Sequence, residues 1–188
     1  SFPLRRYNYP MSLIKAMATV GGLTGVSRIL GFARDVLMAI VLGAGPVADA
    51  FLVALKLPNF FRRITAEGAF SVSFVPLYTE AMEKEGRAQA DDFAGHAMGI
   101  MFWVLLAFTI VIMAAMPWVI DLIAPGFHDD PFRHDLATTL SRITFPYLLM
   151  MSMAALLGAV LNAHGRFAPF AAAPILFNLS LIALLLFA

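Results

Sequence analysis

Long apolar stretches separated by short polar ones dominate the pattern of the chain. Three of them, 93–120, 143–165 and 167–188, lack Asp, Glu, Lys and Arg for long enough to cross a bilayer of about 30 Å as helices. Two earlier stretches are also apolar but contain embedded charges, and each is longer than the ~20 residues that a straight span needs. The pattern predicts membrane spans over residues 13–42, 46–79, 93–120, 136–163 and 167–188.

The connections between these spans are short and typical of turns. They are predicted at 43–46, 80–92, 121–135 and 162–168. Pro58 and Pro76 lie inside the second span, and a proline there removes a helical hydrogen bond and crowds the preceding turn. We therefore expect long, bent helices in the first part of the chain.

Residues 1–10 are excluded from the fold prediction. Arg5 and Arg6 resemble a twin-arginine signal, but Pro10, Lys15 and Arg28 interrupt the apolar run that should follow. Met-Ser-Leu-Ile-Lys at 11–15 is typical of a natural start, so residues 1–10 are interpreted as an N-terminal extension or a cloning remnant. Residues 11–188 then form one transmembrane region.

Composition agrees with a membrane protein. The chain is 61% hydrophobic and 13% charged, with a mean hydropathy of +0.82, whereas soluble domains average about 25% charged residues. The net charge of +1 provides no overall field, and the absence of cysteine excludes disulfides and thiolate chemistry. Basic residues in the connections favour a cytoplasmic N-terminus: Lys84, Arg87 and Arg166 then lie inside, and Arg133 lies outside.

The embedded charges are the most informative feature of the first two spans. A charge at the bilayer centre costs at least about 2.5–3.5 kcal/mol on insertion scales, so a chain that keeps several is expected to use them. Basic residues outnumber acids in this region, and arginine is well suited to binding phosphate. The basic residues are Lys15, Arg28, Arg34, Lys56, Arg62 and Arg63, and the acids are Asp35, Asp49 and Glu67. The surplus predicts a water-filled cleft for an anionic, phosphate-bearing ligand.

Helical spacing indicates how these charges are arranged. In the first span Thr24, Arg28 and Asp35 fall on one face, and Arg34 lies off it, so the two arginines would line a wall and not stack. In the second span Asp49, Lys56 and Arg63 recur every seven residues, with Glu67 four residues further on, so a straight helix would place all four on one face.

Two alternatives remain open at these positions. The acids and Lys56 either tune the cleft or form an ion-pair network that only holds helices together, with Asp49 paired to Lys56 or to an arginine of a neighbouring helix, and Glu67 to Arg63. The amide of Asn59 binds either a ligand or the carbonyl that Pro58 leaves without a donor.

At these residues the chain resembles the MurJ/MviN family, the lipid II flippases of the multidrug/oligosaccharidyl-lipid/polysaccharide exporter superfamily. The resemblance rests on ordered blocks that run from Met11 to the C-terminus. They are Ser-Arg-Ile-Leu-Gly-Phe-Ala-Arg-Asp at 27–35, Asp-Ala-Phe at 49–51, Lys-Leu-Pro-Asn at 56–59, Arg-Arg at 62–63, Glu-Gly-Ala-Phe at 67–70, Ala-Pro-Gly-Phe at 124–127, Thr-Phe-Pro-Tyr at 144–147, and Asn162 with Arg166-Phe167.

The resemblance implies an all-α polytopic membrane protein, of which this chain forms most of the N-terminal lobe of a two-lobed transporter with a central cationic cavity. It implies that Arg28, Arg34, Arg62 and Arg63 bind the substrate. Asn59 and Ser27 would also contact the substrate, and Asp35, Asp49, Lys56 and Glu67 would line the cavity or its gate.

The same resemblance implies a transporter of the bacterial cytoplasmic (inner) membrane and not an enzyme. The expected substrate is lipid II, the undecaprenyl-diphosphate-linked disaccharide pentapeptide, flipped from the cytoplasmic to the periplasmic leaflet by alternating access. Membrane lipids are the other expected partners; no nucleic acid, cofactor or metal is expected, and the full-length protein would act as a monomer. The membrane potential or a coupling ion is the expected energy source.

Two alternative functions are considered. The first is export of another lipid-linked oligosaccharide or a drug by the same superfamily, although a cavity for cationic drugs should be lined by acids. The second is a membrane enzyme acting on polyprenyl diphosphates, which would need acid clusters for Mg²⁺ or a nucleophile beside a histidine. No span of this chain offers either arrangement.

Overall fold

The computed structural model describes residues 13–63 and 71–187. The described residues are mostly helical, and there is no strand among them. The helices are α1 (Leu13–Leu42), α2 (Pro46–Arg62), α3 (Ser71–Lys84), α4 (Arg87–Ala114), α5 (Met116–Ile123), α6 (Pro131–Thr144), α7 (Tyr147–Ala163) and α8 (Ala168–Phe187), and a short 3₁₀ turn covers Pro125–Phe127.

Three helical stretches in the described part of the chain are long and apolar enough to cross a membrane: Arg87–Ala114, Pro131–Ala163 and Ala168–Phe187. They overlap the three charge-free spans predicted from the sequence. The charged segments are helical as well, because α1 covers the predicted first span and α2 and α3 cover both ends of the predicted second one. The chain is therefore part of an all-α polytopic membrane protein, and the exact set of five spans stays a prediction.

The predicted polar connection at 80–92 is mostly helix. Only Glu85 and Gly86 separate α3 from α4, and Gly86 has the positive φ of 93° that glycine adopts at low cost. Charged residues continue the helices because they pair at i,i+4: Lys84 Nζ lies 2.5 Å from the carboxylate of Glu80.

The chain separates into two compact units. The first contains residues up to Leu37 together with those from Leu161 onward, and the second contains Met38–Val160. In the first unit the hairpin before α8 turns at Gly165, whose φ is 73°. Asn178 is the only residue of α8, as the structure describes it, that is buried.

The core of the second unit is built where α2 packs against α6. On α2 the buried residues Ala50, Ala54, Leu57 and Pro58 recur at helical spacing, and the two alanines allow close approach of α6. An aromatic cluster closes one end of this contact, because Phe61 lies edge-on to two further rings of the same unit. Its ring centroid is 5.3 Å from that of Phe108 and 5.7 Å from that of Phe145.

An interior proline in α2 leaves one carbonyl without its backbone donor. Pro58 has no N–H, so the helical hydrogen bond to the carbonyl of Ala54, four residues earlier, is missing. The hydroxyl of Thr144, at the end of α6, donates to this oxygen at 2.8 Å. The packing of α6 on α2 thus supplies the hydrogen bond that the proline removes.

A side chain of α6 also donates to the carbonyl that a second proline leaves without its backbone donor. The predicted span 93–120 is interrupted at Ala115, where α4 ends and α5 begins with Pro117 in its first turn. The missing N–H of Pro117 would have met the carbonyl of Met113, and the guanidinium Nε of Arg142 donates to that carbonyl at 3.0 Å. The last turn of α6 therefore replaces both proline-deleted hydrogen bonds.

Candidate functional site

The first unit holds a polar cluster around the second arginine of α1. The Nε and Nη2 atoms of Arg34 donate to one carboxylate oxygen of Asp35 at 3.1 and 2.7 Å. Its Nη1 atom donates to the side-chain oxygen of Asn178, on α8, at 2.9 Å. Asp35 therefore offsets part of the arginine charge, and the neutral amide holds the guanidinium without offsetting any.

The amide of Asn178 makes a second hydrogen bond to α1. Its Nδ2 atom donates to the backbone carbonyl of Ser27 at 3.0 Å. Gly31 lies between the two attachment points, and a Cβ added there would be 3.6 Å from Nδ2. Since Ser27 and Arg34 are about two helical turns apart, Asn178 spans this face of α1 with one side chain.

The first arginine of α1 has a different environment. Arg28 is exposed, and no ion pair or hydrogen bond to it is found within the described ranges. It lines a groove of about 340 Å³ inside the first unit, together with polar and aromatic side chains. The other lining residues are Val20, Thr24, Ser27, Asn162, Phe167, Phe170, Ala171 and Pro174. An uncompensated guanidinium beside two hydroxyls and apolar rings fits an anionic, lipid-like ligand.

In the second unit Asp49 pairs with an arginine of a neighbouring helix. The carboxylate of Asp49, in the first turn of α2, lies 3.5 Å from Nη1 of Arg133. Asp130 caps the N-terminus of α6 by accepting from the Arg133 backbone N–H at 3.2 Å, and its carboxylate also lies 3.2 Å from Arg133 Nε. Of the two partners predicted for Asp49, Lys56 and a neighbour's arginine, the structure selects the arginine.

The remaining predicted residues of the second unit lie at or near the C-terminal half of α2. Lys56, Asn59 and Arg63 are exposed, and Arg62 is half-buried. The amide of Asn59 donates to the carbonyl of Leu55 at 2.9 Å. The interpretation in which Asn59 satisfies the carbonyl freed by Pro58 is therefore wrong, because the freed carbonyl is that of Ala54, and it accepts from Thr144.

The predicted site residues thus fall into separate groups. Ser27, Arg28, Arg34 and Asp35 lie in the first unit, and Asp49, Lys56, Asn59, Arg62 and Arg63 lie in the second. Glu67, with its predicted pairing to Arg63, lies outside the described residues.

Sequence reasoning missed three side chains that the structure places at these positions: Asn178, Arg133 and Thr144. For Asn178 a signal was available, since it is an amide in the middle of an otherwise apolar span. Among the described residues, no group of three His, Cys, Asp or Glu is placed to hold a metal ion.

Comparison with known proteins gives one consistent result. A protein-family model described as "Lipid II flippase MurJ" matches residues 38–188. A relative from Rhizobium meliloti (strain 1021), named "Probable lipid II flippase MurJ", is 48% identical over 179 residues, which are 95% of this chain and 34% of the relative.

A protein of Burkholderia cenocepacia named "Lipid II flippase MurJ" is 38% identical over 177 residues, covering 94% of this chain and 34% of the relative. One from Haemophilus influenzae, named "Probable lipid II flippase MurJ", is 40% identical over 172 residues, or 88% of this chain. The chain spans about a third of the length of these curated relatives. With the family match covering most of its residues, the chain belongs to the MurJ family.

Proposed function

We propose that the protein containing this chain is a lipid flippase of the bacterial inner membrane, and that it moves lipid II from the cytoplasmic to the periplasmic leaflet. The observation that carries the proposal is the pair of arginines on the long, mostly apolar helix α1, in a chain whose relatives are named lipid II flippases. A diphosphate headgroup cannot cross hydrocarbon unaided, so cations facing a hydrated path would lower its barrier.

The two arginines of α1 support different parts of this task. Arg28 has no acidic partner in the described part of the chain and lines the groove, so it is the stronger candidate for direct contact with the diphosphate. Arg34 forms an ion pair with Asp35 at 2.7 Å, and this pairing would weaken its attraction for the substrate. A flippase needs such moderation because the substrate must be released as well as bound.

Aromatic and hydroxyl groups of the same groove extend this assignment. Thr24 and Ser27 offer hydroxyl donors beside Arg28, and Phe167 and Phe170 offer apolar surface. A phosphate next to an isoprenoid chain would match both kinds of surface. The roles proposed for Ser27 and Arg28 thus agree with their common position on this groove.

Residues of the second unit and the remaining properties are proposed on the resemblance. Lys56, Asn59, Arg62 and Arg63 would contribute further cationic and polar contacts to the substrate path, with Asp49 near its gate. The protein would act as a multi-pass monomeric transporter with a cytoplasmic N-terminus and without catalytic residues. The membrane potential or a coupling ion would drive the cycle.

Complementation tests the proposal. A full-length chimera is made in which this chain replaces the matching 34% of the Rhizobium meliloti relative; we call it the chimera below. It should support growth of a strain depleted of its own lipid II flippase. Arg28→Ala and Arg34→Ala should each abolish growth while the protein still reaches the membrane.

The matched control is Arg87→Ala. Arg87 is also an exposed arginine, but its Nε lies 3.5 Å from Asp91 one turn along its own helix, so its loss should leave growth intact. Growth of the strain with both Arg28→Ala and Arg34→Ala would refute the proposed function. Accumulation of a different lipid-linked sugar in the depleted strain would instead favour another substrate of the same superfamily.

A further inference from the structure

The buried amide of α8 is unexplained by packing alone. Asn178 has 5% of its surface exposed, in a helix whose other described residues are partly or fully exposed. A buried amide without hydrogen-bond partners would cost stability. The oxygen of Asn178 accepts from Arg34, and its nitrogen donates to the carbonyl of Ser27. Both partners belong to α1.

These contacts fix the orientation of the Arg34 guanidinium. The carboxylate of Asp35 accepts hydrogen bonds from Nε and Nη2 of Arg34, and the side-chain oxygen of Asn178 accepts one from Nη1. An arginine has five N–H donors, so two remain for an anion. Neighbours at i and i+1 do not face each other on a helix, so Asp35 alone is poorly placed to hold Arg34 in one orientation.

The chemistry of an amide suits this position better than that of an acid. Asparagine accepts a hydrogen bond from the guanidinium but carries no charge, so it holds Arg34 and leaves the net positive charge available. A carboxylate at 178 would join Asp35 in neutralising the arginine. It would also face the carbonyl of Ser27 without a proton to donate.

We infer that Asn178 is a positioning residue, which orients Arg34 on α1 so that its two remaining N–H groups meet the anionic headgroup of the transported lipid. The inference rests on the proposed function, since it assumes that Arg34 contacts that headgroup. Asn178 itself does not need to contact the substrate.

The test is a double-mutant cycle on substrate affinity. The purified chimera in nanodiscs is titrated with fluorescently labelled lipid II. Asn178→Leu keeps the approximate size of the side chain and removes both hydrogen bonds, and it should raise Kd about tenfold, which corresponds to about 1.4 kcal/mol. In an Arg34→Ala background the same substitution should change Kd less than twofold, because the residue that it positions is gone.

Two further variants make the result specific. Asn178→Asp keeps an acceptor for Arg34 but adds a charge, so it should weaken binding although it strengthens the contact with Arg34. Ser180→Ala is the matched control, since the Ser180 hydroxyl donates at 2.9 Å to the carbonyl of Leu176 within α8 itself. Its Kd should equal that of the parent chimera.

The outcomes separate this inference from the proposed function. Equal weakening by Asn178→Leu in both backgrounds, or no weakening at all, overturns the positioning role. Loss of affinity in Arg28→Ala and Arg34→Ala with an unchanged Asn178→Leu leaves the proposed function standing and rejects only the inference. Unchanged affinity in both arginine variants rejects the function itself. If Asn178→Leu is not recovered in the membrane, the cycle is completed with Asn178→Asp, and additive effects again overturn the role.

Discussion

The hydroxyl of Thr144 should contribute measurably to stability because it replaces a hydrogen bond that Pro58 removes. Thr144→Val keeps the branched shape and deletes the donor, so the carbonyl of Ala54 is left without a partner. Ala54 has no exposed surface, and a buried acceptor without a partner costs about 1–3 kcal/mol. The other oxygen near this hydroxyl, the carbonyl of Ser141, is more distant at 3.3 Å, which makes the bond to Ala54 the main loss.

The chain offers a closely matched control. The hydroxyl of Thr79 also donates to a helix carbonyl, that of Val75, at 2.9 Å. No proline interrupts that hydrogen bond, because the backbone N–H of Thr79 is itself placed to serve the same carbonyl within α3. Thr79→Val should therefore change stability by no more than about 0.5 kcal/mol.

Unfolding of the chimera by SDS in mixed micelles, followed by circular dichroism, measures both effects. A second substitution sharpens the test, since Pro58→Ala returns a backbone donor to the carbonyl of Ala54. In that background Thr144→Val should lose most of its cost, giving a coupling of about 1 kcal/mol or more. A cost for Thr144→Val that matches that of Thr79→Val, or that is unchanged by Pro58→Ala, would refute the reasoning.

Three further predictions follow from individual contacts. Arg142→Met removes the donor to the second proline-freed carbonyl and should cost about 0.5–1.5 kcal/mol in the same SDS titration, less than Thr144→Val because the guanidinium is exposed; no cost would contradict the assignment. Gly31→Ala should leave lipid II affinity unchanged, because its Cβ would lie at an ordinary contact distance of 3.6 Å from Nδ2 of Asn178. The larger side chain in Gly31→Val should weaken affinity. Equal effects of the two substitutions would argue against a close helix contact at Gly31. The hydrogen bond from Lys84 lowers the pKa of Glu80. The stabilisation that this pair contributes is therefore present above the pKa of Glu80 in the unfolded chain, and it is lost as pH falls through the lowered pKa of the folded protein. Lys84→Ala should raise the Glu80 pKa in a ¹³C NMR titration, and an unchanged midpoint would exclude the pair.

The helices could be predicted from the sequence, but their interruptions could not. Apolar length and the absence of charge determine where a span lies, and those signals are local. Whether a proline such as Pro117 bends or interrupts a helix depends on a replacement donor, and Arg142, which supplies it, lies far along the chain. The prediction of a turn-like connection at 80–92 was wrong, although the i,i+4 spacing of Glu80 and Lys84, which favours a helix, is visible in the sequence.

The candidate site could likewise be predicted only in part. The unusual arginines are evident from sequence because they violate membrane composition, and helical spacing separates Arg28 from Arg34 on α1. The amide of Asn178 that contacts Arg34 comes from α8 and could not be deduced from α1 alone. The amide of Asn178 in an otherwise apolar span signals a polar contact, but an apolar helix presents no preferred face, so the pattern of α8 does not show which helix Asn178 contacts.

The two arginines of α1 differ in how far the described chain compensates their charge. Arg34 is stabilised inside the first unit by a carboxylate at 2.7 Å and an amide at 2.9 Å, without any ligand. Arg28 has no such partners in the described chain and depends on the groove that it lines. An anion that enters this groove therefore gains more from Arg28, since its approach replaces only water, than from Arg34, where it competes with Asp35. Substituting Arg28 should accordingly weaken lipid binding more than substituting Arg34, whereas substituting Arg34 should destabilise the protein more.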